Sequence, residues 1–283
     1  PIAIQISKLS CFISLVVYQK TTTIPADNFG IRPLPNLEAK FVAANSLIPL
    51  VKTENNLGRT PEIIAAENKL KEANHKIFGA KTIRTKRKWR ERLIELRAEM
   101  AEKLANNGFL TTDAANKLAS WDMFSQNTSA SFLDADWLFG IKDGFDVVIG
   151  NPPYIDVKGL PTDAVRLYFS LFETTENRIN LYSIFIEKGM RLLSSDGILC
   201  YINPNSILIN ESYFKIRKKI IHEVDAIIKL PDTVFESATV ETIILLLKNN
   251  NNSNWVRGAY FKKNDEIRFS NLSFVLFDRK KWI

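Results

Sequence analysis

Phe145-Asp-Val-Val-Ile-Gly-Asn-Pro-Pro-Tyr154 decides how this chain is read. Its first half, with Val147, Val148 and Ile149 after Gly144, is β-branched and apolar and suits a buried strand. The second half cannot continue that strand. Pro152 and Pro153 lack N–H donors and fix φ, so they end the ladder and hold an extended loop. That loop leaves the carboxyl end of a strand, where open α/β sheets place their ligands. A chance Asn-Pro-Pro-Tyr in such a chain is on the order of one in a thousand. The plain alternative is a proline-stiffened turn.

Towards the carboxyl terminus the pattern alternates between strand and helix. Helices are predicted at 163–172 and 181–193, a strand at 198–202, and a helix at 213–221. Strands at 226–230 and 240–247 are joined by a loop short enough for antiparallel pairing, so a parallel sheet ending in a reversed strand is expected. Residues 249–254 read as a polar link and 255–261 as extended. The order is that of an α/β protein.

Towards the amino terminus, Ile2, Ile6, Leu9, Ile13 and Val16 recur at helical spacing, which predicts an amphipathic, core-facing helix. The short apolar run 39–44 predicts a buried strand carrying Asn45 at its end. From Pro61 to about residue 106 the pattern becomes long, charged and helical, with Gly108 as a stop, which predicts a helical hairpin. Lys86, Arg87, Lys88 and Arg90 crowd around Trp89 there. They suit DNA phosphates, and a solvated helix face suits them equally. Trp121, Phe132, Trp137 and Phe139 are expected to pack this insertion onto the core.

The 283 residues are 46% hydrophobic and 24% charged, the balance of a soluble globular protein, and the net charge of +7 permits a polyanionic partner without naming one. Two cysteines in apolar surroundings, Cys11 and Cys200, read as reduced core thiols and suit a cytoplasm. His75 and His222 lie far apart with no metal-ligand spacing, so no metal is expected. Residues 9–18 are too short to span a bilayer and lack a signal-peptide pattern, so no membrane role is expected. The chain starts at Pro1 inside a helical pattern, and a fragment of a longer protein is expected. Oligomeric state is not legible.

The loop chemistry points to an amine. The exocyclic nitrogen of a nucleobase is a poor nucleophile because its lone pair is delocalised, so alkylating it needs orientation more than a base. The Asn151 side-chain oxygen and the Pro152 carbonyl can accept its two N–H bonds. Such acceptors turn the lone pair towards an electrophile and stabilise the charge that develops on nitrogen. Tyr154 offers a ring for stacking, and a base inside a duplex would have to be flipped out to reach it.

These residues are joined by Ile4-Gln-Ile-Ser-Lys-Leu9, Asn36-Leu-Glu-Ala-Lys-Phe-Val-Ala-Ala-Asn-Ser-Leu47, Asn180-Leu-Tyr-Ser-Ile-Phe-Ile-Glu187, Asp196-Gly-Ile-Leu-Cys-Tyr-Ile-Asn-Pro-Asn-Ser206 and Val234-Phe-Glu-Ser-Ala-Thr-Val-Glu-Thr-Ile-Ile244. Together they resemble gamma-class N6-adenine DNA methyltransferases, and more closely the methyltransferase region of fused type IIG restriction-modification enzymes. The resemblance implies an incomplete Rossmann-like S-adenosylmethionine-dependent methyltransferase core with a helical insertion. It implies core segments 1–54 and 140–262, the insertion at 55–139, and in 263–283 the start of a connection to a target-recognition domain. It further implies Asn151, Pro152 and Tyr154 as catalytic, Phe235 against the extruded adenine, and Asn45 and Asn180 on the cofactor side. The partner would be double-stranded DNA with a flipped adenine.

The family also implies a glycine-rich turn and an acidic strand end for the cofactor, and neither occurs in residues 1–283. Two strands that would lie between those ending at Asn45 and Asn151 are then absent, which would leave two sheet edges exposed. The isolated chain is expected neither to bind the cofactor tightly nor to methylate DNA. RNA or protein-glutamine methylation, and a non-catalytic DNA-binding remnant, stay open as alternatives.

Overall fold

A computed structural model describes residues 2–32, 37, 40–53, 60–122, 124–125, 128–176, 180–231, 234–235, 240–262 and 265–281. Contacts divide the chain into two units, Pro1–Gly140 and Ile141–Ile283.

The first unit is helical. It begins with α1 (Ile2–Val17) and continues with α2 (Pro61–Phe78), α3 (Ile83–Asn106), α4 (Thr112–Ser120) and α5 (Ala135–Phe139). The hairpin predicted from 61 to 106 is α2 and α3. Thr60 caps α2 by accepting from the Ile63 N–H, with Pro61 in its first turn, and Thr82 and Thr85 form a reciprocal capping box on α3. Ile63, Ile77, Leu93 and Leu104 sit almost fully buried between these helices. Trp121, Phe132 and Trp137 fill the same helical core, with Phe139 packed against it and Trp121 edge-on to Phe132 at 6.4 Å. Arg97 is buried among them. Its guanidinium lies 4.7 Å over the Trp121 ring and donates to the Trp121 carbonyl at 3.0 Å. Burial pushes it down to about 10, with Asp122 opposing the shift.

Two expectations change in this unit. The stripe of α1 is real but does not face a core: Ile2, Ile6, Leu9, Ile13 and Val16 are each more than half exposed. Among the described residues no layer covers that face. The strand expected at 39–44 is also not formed. Ala39 lies outside the described residues, and Ala44 makes only an isolated parallel bridge to Ala130. A short apolar run becomes a strand only where a neighbour supplies a ladder, and here a single bridge is all it meets.

The second unit is α/β. Its elements are β1 (Phe145–Gly150), α6 (Thr162–Leu171), α7 (Leu181–Arg191), β2 (Leu193–Pro204), α8 (Ser206–Ile209), α9 (Phe214–Ile220), β3 (Val224–Lys229), β4 (Thr242–Lys248), β5 (Trp255–Tyr260) and β6 (Val275–Asp278). The sheet has six strands in the order β1-β2-β4-β3-β5-β6. β1 runs parallel to β2, and β3 parallel to β5. β4 is the reversed strand, but it does not end the sheet: it lies inside, antiparallel to both β2 and β3, with Tyr201 opposite Leu245 and Ile228 opposite Ile244, because a strand apolar on both faces gains from a neighbour on each side. β6 pairs antiparallel with β5, so part of the segment expected to lead away from the core belongs to the sheet.

One face of the sheet carries the core. Leu199, Leu245, Leu247 and Val256 pack there against Tyr182 and Ile186 of α7 and Ile216 and Ile220 of α9. α7 comes close enough to β2 to require Gly189, where an added Cβ would run into the Leu199 and Tyr201 side chains. The opposite face is open near β1, where Val147 is 60% and Ile149 77% exposed. β1 is a sheet edge, the exposed edge expected beside the Asn151 loop. Among the described residues no ladder forms near Asn45, so no second edge is seen there.

Candidate active site

β1, β2 and β3 run in the same direction and β4 runs opposite. The carboxyl ends of the first three and the amino end of β4 therefore meet at one edge of the sheet. The loops leaving that edge carry Asn151 to Tyr154 after β1, Asn205 after β2, and Phe235 between β3 and β4. Topology alone thus brings Phe235 to the edge that holds the Asn151 loop, with β2 and the start of β4 between them.

Asn151 is exposed, Pro152 is buried, and Pro153 and Tyr154 are half-buried. Pro152 cannot donate to a ladder, and no backbone N–H of the described residues bonds its carbonyl. The loop is then pinned at its far end. The Tyr154 hydroxyl donates to the Ile202 carbonyl of β2 at 3.1 Å, and burial raises its pKa above the ordinary phenol value. The Tyr154 ring stands edge-on to Tyr182, 6.0 Å between centroids at 82°. Beyond it, the Leu181 N–H donates to the Ile155 carbonyl at 2.8 Å, and Asp156 bridges Asn180 antiparallel. Asn180 is thereby held beside the loop, and its side-chain oxygen is buried with no hydrogen-bond partner among the described residues.

Phe235 is half-buried in its loop, next to Val234, whose N–H donates to the Pro231 carbonyl at 3.2 Å. Asn45 belongs to the helical unit. Its side-chain oxygen accepts the Leu47 N–H at 3.2 Å, an Asx turn, so that oxygen already has a partner. On α3, Arg87 pairs with Glu91 at 3.0 Å and Arg90 with Asp122 at 3.0 Å, while no ion pair involves Lys86 or Lys88 among the described residues. Lys88 is exposed and Lys86 half-buried. Trp89 packs on the helical core, under the Lys76 ammonium at 4.9 Å.

A family model described as Eco57I restriction-modification methylase matches residues 1–235. The chain belongs to the Eco57I restriction-modification methylase family. The match runs through every site residue from Asn45 to Phe235. Similar proteins include the type II methyltransferase M.TthHB8I of Thermus thermophilus, 29% identical over 129 residues, covering 43% of this chain and 29% of that protein. The type II restriction enzyme and methyltransferase RM.Eco57I of Escherichia coli is 27% identical over 151 residues, covering 50% of this chain and 14% of that protein. The type II methyltransferase M.PaeR7I of Pseudomonas aeruginosa is 32% identical over 109 residues, covering 36% of this chain and 19% of that protein. The matched part spans less than a third of each relative's length.

In this member of the Eco57I family, the described residues do not fit a bound S-adenosylmethionine. Gly144 has φ +86°, but an added Cβ would strike the Leu193 backbone, so this glycine serves strand packing and lines no ligand cradle. Gly140, at φ +72°, ends α5 and touches Lys71. The orphan oxygen of Asn180 is one acceptor, too little to hold a nucleoside.

Two residues of this neighbourhood escaped the sequence reading. Tyr182 carries the contact to Tyr154, and its signal was only its place beside Asn180. Glu187 lies fully buried on α7 and accepts from the Glu173 N–H at 3.2 Å, the Thr174 N–H at 2.9 Å and the Thr174 hydroxyl at 2.5 Å, with Arg191 also bonded to it. A carboxylate three residues after Ile184 and four after Ser183, on a helix face those two already bury, was the available sign.

Proposed function

We propose that the intact protein is a site-specific DNA methyltransferase that modifies the N6 amino group of adenine. One observation carries this reading: at the carboxyl edge of the sheet, an exposed Asn151 and a Pro152 carbonyl with no backbone partner among the described residues come immediately before an aromatic ring held from behind. Two acceptors and a stacking face are what an exocyclic amine on a planar base requires. Asn151 Oδ1 and the Pro152 carbonyl each take one N–H, which localises the lone pair and stabilises the charge appearing on nitrogen. Tyr154 supports one face of the base, and Phe235, reaching the same edge from the β3–β4 loop, the other. The prolines matter because a loop that bends cannot keep both acceptors on one nitrogen.

S-adenosylmethionine would supply the methyl group. Asn45 and Asn180 are assigned to the cofactor side by family resemblance. Double-stranded DNA is the proposed partner, with Lys86, Arg87, Lys88 and Arg90 as phosphate contacts on the exposed end of α3.

The test uses the intact protein, a labelled methyl donor, and unmethylated genomic DNA, RNA and protein in parallel. Label should enter DNA as N6-methyladenine, and Asn151→Ala should lower the rate by roughly a hundredfold or more while DNA binding persists. Arg87→Glu with Lys88→Glu should instead weaken DNA binding and flatten its salt dependence. Label in RNA or glutamine, or an Asn151→Ala variant of full activity, overturns the reading.

A further inference from the structure

We infer that Tyr182 is a positioning residue for the proposed reaction: it sets the plane of the Tyr154 ring on which the base stacks, and the inference rests on the reading above. Tyr154 is half-buried on a loop, and a ring on a loop turns about its own side-chain axis unless something stops it. Its hydroxyl bond to Ile202 fixes the tip at 3.1 Å but leaves rotation about the ring's long axis free. The edge-on contact with Tyr182 removes that freedom, because the two rings meet at 82° and 6.0 Å.

Tyr182 is itself immobilised. It is 1% exposed, its ring rests on Tyr213 at 5.3 Å, and its hydroxyl shares a hydrogen bond with the Ser206 hydroxyl at 3.1 Å. Ser206 opens α8 directly past β2, and Ile202 lies near the end of β2. Both tyrosine hydroxyls are therefore tied to the carboxyl end of one strand. The backbone reinforces the arrangement, since Leu181 donates to Ile155 at 2.8 Å and Asp156 bridges Asn180. The first turn of α7 and the loop move as one piece. Any buried tyrosine needs a partner for its hydroxyl, and the ring contact to the loop is what a tyrosine serving the core alone would not require.

The test compares kcat and KM for methyl incorporation into unmethylated genomic DNA in the intact protein. Tyr182→Leu removes the ring, and Tyr182→Phe keeps it. Tyr182→Leu should lower kcat about tenfold with KM for DNA nearly unchanged, and Tyr182→Phe should stay within about threefold of the parent. Tyr154→Ala combined with Tyr182→Leu should be no worse than Tyr154→Ala alone, because both act through one ring. Should Tyr182→Leu not fold, Tyr182→Met fills more of the space without a planar edge and carries the same expectation. Variants that melt earlier but keep the parent's kcat overturn the inference. Asn151→Ala is measured alongside: loss there with none in the Tyr182 variants rejects this inference only, and no loss in Asn151→Ala rejects the reading of the site.

Discussion

The Tyr154 hydroxyl reaches across from the loop after β1 and donates to the Ile202 carbonyl of β2 at 3.1 Å. The ring is then available for stacking while the hydroxyl serves as an anchor, and substitution separates these roles. Tyr154→Phe should cost about 1 kcal/mol of stability and keep most of the activity. Tyr154→Ala should lose a stacking contribution of roughly 1–3 kcal/mol, about tenfold to a hundredfold in rate. Denaturant melts and methylation kinetics on both variants check this. Equal activity loss in the two would mean that the hydroxyl, not the ring, does the chemistry.

Glu187 gathers the turn after α6. With its carboxylate fully buried and accepting from Glu173, Thr174 and Arg191, it has no water to fall back on. Glu187→Gln turns one accepting oxygen into a donor facing donors, and should cost about 2–3 kcal/mol. Chemical denaturation of the two proteins measures it. A change below about 0.5 kcal/mol would show that the turn rearranges without the carboxylate.

Gly144 precedes β1 with φ +86°, and a Cβ there would meet the Leu193 carbonyl group and the Ser194 nitrogen. Gly144→Ala combines backbone strain with a clash against backbone, which has no rotamer to yield. It should lower stability by more than about 1 kcal/mol. Gly108, at φ +63° with nothing near it, isolates the strain alone, and Gly108→Ala should cost less.

Alkaline pH should weaken the second unit. Burial raises the pKa of Tyr154, Tyr182 and Cys200, and pushes Tyr201 up to about 12 from an ordinary 10.0. Each of these acids holds its proton longer folded than unfolded, so the folded state binds more protons and stability falls as pH rises. The contribution is intact below the unfolded values and is lost from about pH 10 for the tyrosines, through about pH 12 for Tyr201. Urea midpoints taken at about pH 8, 10 and 11 should decline, and Tyr201→Phe should flatten the decline. An unchanged slope in Tyr201→Phe would exclude Tyr201 as a source.

What could be read in advance was local. The Asn151 loop announces itself because two prolines settle their own φ, and α2, α3, α6 and α7 because apolar residues repeat at helical spacing. The antiparallel pairing of β3 with β4 followed from a short connection. That β4 also lies against β2 did not, since pairing between distant strands leaves no mark in either. The run before Asn45 looked like a strand for the same reason: apolarity says that a segment wants cover and not which neighbour will provide it. α1 shows the converse, a correct face with nothing described against it. Tyr182 and Glu187 were hidden because a polar group on a buried face is visible only once its partners are.

The position of β4 also dictates the order of events during synthesis. β2 ends at Pro204, yet the strand that completes its open side is not finished until Lys248. β3 comes in between in sequence, yet in the finished sheet it does not touch β2, because β4 lies between them. While the ribosome adds those residues, the nascent β2 is an apolar ribbon with one side unpaired, open to any extended peptide nearby. A chain that stops short of residue 248 lacks the strand that joins β2 to β3, so it carries two unpaired strand sides where the finished sheet has none.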